Sequence, residues 1–196
     1  MSRRVLQIGP KILALPVVHG SADCALEVRR MMLEESFDCV AVPLPPSFQH
    51  DVESSIQRLP VPGAVVQREG SLFNTDWSPE TSEDDDEDDD ADAALSYVPI
   101  DPCQPVIAAL RIALGERLAR AFIDLETDCF EPHSAVLPDP YALKQVRLDR
   151  FAAAILPSIP PPPTGQPRAR INHMAHRLHE LQDEYRSILM ICSILD

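Results

Sequence analysis

His19 offers this chain its clearest chemical opportunity. It follows the apolar run Ile12-Leu13-Ala14-Leu15-Pro16-Val17-Val18 and precedes Gly20-Ser21. A short continuous apolar run closed by glycine reads as a strand buried on both faces. The carboxyl end of such a strand is where open α/β sheets take their ligands. An imidazole there can act as a metal ligand or a general base. It can equally do no more than hydrogen-bond the strand end. A second candidate is the carboxylate pair Asp124 and Glu126, in Ala121-Phe122-Ile123-Asp124-Leu125-Glu126. At i and i+2 of a strand they share one face. Two carboxylates so placed can bind a divalent cation through oxygen or divide acid and base roles. Asp128 and Glu131 nearby also fit a plain acidic loop.

Other polar patterns carry less. Glu27, Arg30 and Glu34 form a charge ladder on a helix surface. His173, His176 and His179 stand three apart, so all three cannot face one ion. The acidic run lacks the glycine and alternating spacing of a calcium loop. There is no GxSxG, no HExxH and no phosphate-cradling glycine loop, and only six glycines in all. The five cysteines, Cys24, Cys39, Cys103, Cys129 and Cys192, include no CxxC pair and fit a reducing compartment.

The elements that would position these groups alternate between strand and helix. After the first strand, at about 12–18, Ser21 or Asp23 caps a helix to about Ser36. Phe37–Val42 reads as a strand, and Ser47 opens a helix whose stripe is Phe48, Val52, Ile56 and Leu59. Ala64–Gln67 and Leu95–Ile100 are further strands. A helix carrying Ile107, Leu110, Leu114 and Leu118 precedes the strand 121–126, and Asp139-Pro140 caps another helix to about Leu156. The fold class expected is α/β, a mainly parallel sheet of about five strands with helices on both faces. A heptad-like C-terminal helix is expected beyond it.

The domain reading is an α/β domain over 1–156 with a disordered acidic insertion at 70–94, a Pro-rich linker at 157–167, and an amphipathic helix at 168–196. The helix seam is Ile171, Met174, Leu178, Leu181, Tyr185, Ile188, Cys192 and Leu195, at alternating spacings of three and four. A protein partner or self-association through 168–196 is expected from that seam. The stripe is still apolar at Asp196, which reads as the start of a longer C-terminal region.

Composition narrows the partners. Nine acids within 83–92 account for most of the net charge of −14, and the remainder is near −5. No basic face suits nucleic acid, and no stretch is long enough for a membrane span. Ser2-Arg3-Arg4-Val5-Leu6-Gln7 has the look of a twin-arginine signal, but Gly9-Pro10-Lys11 breaks its apolar core. A cytoplasmic location is expected.

Val17-Val18-His19-Gly20-Ser21, followed by Glu27-Val28-Arg29-Arg30 and Asp38-Cys39-Val40-Ala41-Val42-Pro43-Leu44, resembles the TraB/ChaN/erythromycin-esterase-like (Tiki-related) superfamily. The family has a strand ending in a Gly-Thr-x-His-type motif, then a helix and a strand ending Val-Glu-Leu. The helix at 103–118 with Ala121–Glu126 is similar to its later helix and strand ending Asp-Arg-Asp. The resemblance spans about residues 12–130. It implies a divalent-metal-assisted hydrolase of unknown substrate, with His19 and Glu126 catalytic and His19, Asp124 and Glu126 as metal ligands. Two departures stand out: Pro43 where the family has an acid, and Leu125 where it has arginine between the two acids. A one-metal hydrolysis that loses a carboxylate loses a ligand or base. The alternative is therefore a non-catalytic scaffold that docks a partner through its C-terminal helix.

Overall fold

The chain is described by a computed structural model covering residues 6–68 and 95–196. The acidic insertion expected at 70–94 falls outside the described residues. Among the described residues the plan is set by seven strands and five α-helices. The strands are β1 (Gln7–Ile8), β2 (Ile12–Val17), β3 (Cys39–Val42), β4 (Gly63–Arg68), β5 (Leu95–Ile100), β6 (Ala119–Phe122) and β7 (Ile188–Ser193). The helices are α1 (Ala22–Glu34), α2 (Gln49–Ile56), α3 (Pro105–Glu116), α4 (Leu148–Ile155) and α5 (Gln166–Glu184).

Five strands form the main sheet in the order β1-β2-β7-β3-β6. β1 is antiparallel to β2, and the other four run parallel. Successive residues of the parallel strands alternate between two apolar clusters, as the two-residue strand period requires. Val40, Val42, Leu189 and Ile191 join residues of α1, α2, α3 and α4 in one cluster. Cys39, Ala41, Ile188 and Met190 join Met174, Leu178 and Leu181 of α5 in the other. Side chains buried on either side explain why these strands read as unbroken apolar runs.

Local signals place the helices. Ser21 caps α1 by accepting from the Cys24 amide at 3.2 Å. Pro105 opens α3, and Arg117, at φ 58°, closes it in the left-handed region. A 3-10 turn at Pro46–Phe48 leads into α2. Asp139 caps only a 3-10 turn, Pro140–Lys144, so the helix expected to reach Leu156 is split in two, with α4 as its second part.

Three expectations are corrected. The helix expected at 168–196 ends at Glu184, and Ile188–Ser193 is β7, paired on both sides by β2 and β3. Four consecutive buried residues, Ile188 to Ile191, need a partner on each face, which one helix stripe cannot provide. The unit 1–156 therefore lacks a central strand of its own sheet. The seam is also not free for a partner, because Met174, Leu178 and Leu181 are buried in the core. Finally, β4 and β5 are not members of the main sheet. They pair with each other as an antiparallel ribbon.

Candidate functional site

The chain order around the sheet opens a crevice. From β3 the chain moves outward to β6 through α3, which packs in the first apolar cluster. From β6 it returns past β3 to β7 through α5, which packs in the second. Connections that diverge in this way leave a gap at the carboxyl ends of the adjacent strands β3 and β6. A cavity of about 610 Å³ lies there. Its walls include His19 after β2, Pro43, Leu44 and Ser47 after β3, Asp124, Glu126 and Phe130 after β6, Arg170 of α5, and Gln67 and Tyr97 of the ribbon.

Among the described residues His19 has no hydrogen-bond partner of its own, and its turn is held by its neighbours. Gly20, at φ 77°, takes a conformation that glycine adopts without strain, and its amide donates to Gln104 Oε1 at 2.9 Å. That bond ties the His19 turn to the start of α3. His19 opens toward solvent, yet desolvation by the surrounding protein lowers its pKa from the ordinary imidazole value. Asp196 pulls the pKa upward and Arg170 pushes it down. The imidazole is therefore neutral at pH 7 and able to accept a proton.

Asp124 and Glu126 do not end a strand side by side. β6 stops at Phe122, and the two carboxylates follow in irregular chain with different partners. Asp124 is 3 % exposed and receives Arg170 in a bidentate pair. Arg170 Nε donates to its two oxygens at 3.0 and 3.1 Å, and Nη2 donates to Oδ2. The Leu125 amide adds a bond to Oδ1 at 2.8 Å. The Phe130 ring centre lies 4.6 Å from the guanidinium carbon. Arg170 Nη1 has no hydrogen-bond partner among the described residues.

Glu126 acts as an external cap. Its Oε1 accepts from the Ser47 amide at 2.8 Å and its Oε2 from Ser47 Oγ at 2.9 Å, at the start of the turn that leads into α2. Gln67 of β4 reaches the same serine, with Nε2 donating to Ser47 O at 3.1 Å. Thus Glu126 joins the β6 loop to α2, and Gln67 joins the ribbon to both.

Asp196 follows β7, which runs beside β2, and Ile194 N donates to Val17 O at 2.9 Å. Desolvation raises the Asp196 pKa. The Ser193 amide at 3.1 Å, Arg170 and His19 oppose that rise, while Asp124 adds to it. Buried thiols are not activated: desolvation pushes both Cys39 and Cys192 up to about 12.

The structure brings His19, Asp124 and Glu126 to one cavity but not to one point. Both oxygens of each carboxylate are engaged by protein donors, and Pro43 supplies no third acid. Among the described residues no group of three or more His, Cys, Asp or Glu is arranged to hold a metal ion. The residues as they stand do not fit the divalent ion that the resemblance implies.

Arg170, Gln67 and Phe130 were absent from the sequence-based set. A carboxylate at a strand end in apolar surroundings demands a counter-charge, but nothing in the residue pattern singles out Arg170, which is 46 positions away. No family model matches the chain, and neither does any curated protein or solved structure.

Proposed function

We propose that this chain is a TraB/ChaN-like α/β hydrolase whose sheet is flanked on both faces, and that it acts on a small acyl compound at the β3/β6 cavity. In this reading His19 is the general base and Arg170 Nη1 the donor to the developing oxyanion. The observation that carries it is one cavity, of about 610 Å³, lined by a neutral imidazole and by a guanidinium with donors to spare. Cavities of this size, with apolar walls and convergent polar groups, suit small molecules.

The chemistry runs on groups already in place. His19 takes a proton from water, and the water oxygen bonds to the acyl carbon. The carbonyl electron pair moves onto oxygen, where Nη1 of Arg170 donates to it. Collapse restores the carbonyl and breaks the bond to the leaving alcohol, which receives the proton from His19. The Asp124 contact holds the guanidinium still, and Phe130 shields it on one side. Asp124 thus serves as a positioning residue, and Glu126 holds Ser47 at the cavity wall.

Hydrolysis of p-nitrophenyl butyrate by the wild type and His19→Gln tests the reading. General-base catalysis is worth roughly 10²–10⁴-fold, so His19→Gln is expected to lose about a hundredfold or more in kcat while keeping its melting temperature. The wild-type rate should fall as pH drops through the lowered His19 pKa. Equal rates for the two proteins overturn the assignment. Turnover that appears only with added divalent ion restores the metal-assisted version. A second reading, a binding protein without turnover, is favoured by Pro43 in place of an acid. It predicts ligand binding at the cavity with no hydrolysis.

A further inference from the structure

Around Ser47 the cavity wall holds more acceptors than protons. Ser47 Oγ lies 2.9 Å from Glu126 Oε2 and 3.2 Å from Gln67 Oε1. A hydroxyl has one proton to give. It goes to the carboxylate, which is closer and charged, since hydrogen bonds to ionised acceptors are the stronger ones. Gln67 cannot resolve this by turning its amide, because Nε2 is already donating to Ser47 O at 3.1 Å. Its Oε1 is left facing a hydroxyl oxygen that has no second proton. Each oxygen of Glu126 also keeps lone-pair capacity beyond its one bond to Ser47.

Charge on the walls points the same way. Asp124, Glu126 and Asp128 line the cavity, and Arg68 and Arg170 are its cations. Arg170 is matched by Asp124, and Arg68 is itself engaged. Leu44, Phe48, Leu125 and Tyr97 add apolar surface to the same cavity.

We infer that the corner formed by Gln67, Ser47 and Glu126 is a subsite for a ligand's primary ammonium group, so that the compound taken by the cavity is an amine with an apolar body. This rests on the reading of the cavity as a small-molecule site. The ammonium supplies the missing donor: one N–H to Gln67 Oε1 and another to Glu126. Its positive charge meets a wall on which no cation stands unmatched, whereas a carboxylate in the same corner would face Glu126 with no proton between them. The apolar body then packs on the apolar surface that Phe48 and Leu125 add to the cavity.

Calorimetric titration of 1-hexylamine, 1-hexanol and hexanoate tests this on the full chain. The three share an apolar chain and differ in the head group. Hexylamine is expected to bind at least about tenfold tighter than hexanoate, with hexanol between them. Gln67→Leu should weaken hexylamine by about tenfold and leave hexanol nearly unchanged. Gln67→Lys should invert the order in favour of hexanoate, a gain that misfolding cannot imitate. Hexylamine affinity that survives Gln67→Leu would mean attraction to the acidic exterior only and overturns the subsite. Equal binding of amine and carboxylate overturns it too. Calorimetry reads binding without turnover, so failure here leaves hydrolysis at His19 standing. A chain that hydrolyses nothing still gives a clear answer about the amine.

Discussion

The four parallel strands and the β4–β5 ribbon are built from segments of similar length, yet they are held in different ways. Every residue of β3 is fully buried, as are Ile188 to Ile191 of β7. In the ribbon only Val65, Val98 and Ile100 are buried, while Val66, Leu95 and Tyr97 stand 55–69 % exposed. The sheet is sustained by apolar contact on either side. The ribbon is sustained by one layer against α2 and by the bond that Gln67 Nε2 donates to Ser47 O. A segment that carries little of the core can change its side chains at little risk to the fold, and this is the segment that faces the proposed ligand. The cavity wall is thus divided between residues carried by the main sheet and its helices, with His19 and Arg170, and residues carried by the ribbon, with Gln67 and Tyr97.

The contrast can be broken most directly at β7. Ile191→Ala removes a fully buried side chain from the centre of the sheet and should cost about 4 kcal/mol, read as a shift in urea midpoint. A loss no larger than that of a ribbon variant would erase the distinction. Val98→Ala, its counterpart in the ribbon, should cost about 1–2 kcal/mol and leave the melting transition cooperative. The smallest effect lies in the acid limb of stability. His19 has a lowered folded pKa, so above about 6.5 it is neutral in both states and contributes nothing. As pH falls past that point the unfolded chain binds the proton first, and stability is lost until the folded pKa is passed. Asp196, whose pKa is raised, acts with the opposite sign nearer its ordinary value of 3.8. His19→Gln should therefore flatten the decline just below pH 6.5, measured by denaturant titration at stepped pH. A decline as steep as that of the wild type would contradict it.

Much of this arrangement was legible in the residues. Apolar runs marked β2 and β3, Ser21 marked the start of α1, and His19, Asp124 and Glu126 do line one cavity. What misled was periodicity. Ile188, Cys192 and Leu195 continue the three-and-four spacing of α5, and Tyr185-Arg186-Ser187 contains neither the glycine nor the proline that would punctuate a helix end. The contiguity of Ile188-Leu189-Met190-Ile191 was the competing signal, and a stripe cannot accommodate four apolar neighbours in a row. The ribbon was identified as two strands but not as a separate pair. Pro99, which cannot donate to a ladder, was the hint that β5 keeps an open edge. The Asp124–Arg170 pair joins positions brought together only by α5 crossing the sheet, and no local pattern encodes that.

The place of β7 has a consequence for synthesis. It follows every other described strand in the chain, yet it sits between β2 and β3. As the polypeptide leaves the ribosome, β2 and β3 emerge early and then wait with their inner edges unpaired. Such edges invite pairing with other chains, and sheets closed by distant segments form slowly. A nascent chain released before β7 would present two sticky edges and no centre. Truncation before Ile188 should therefore yield aggregates rather than a well-dispersed fragment.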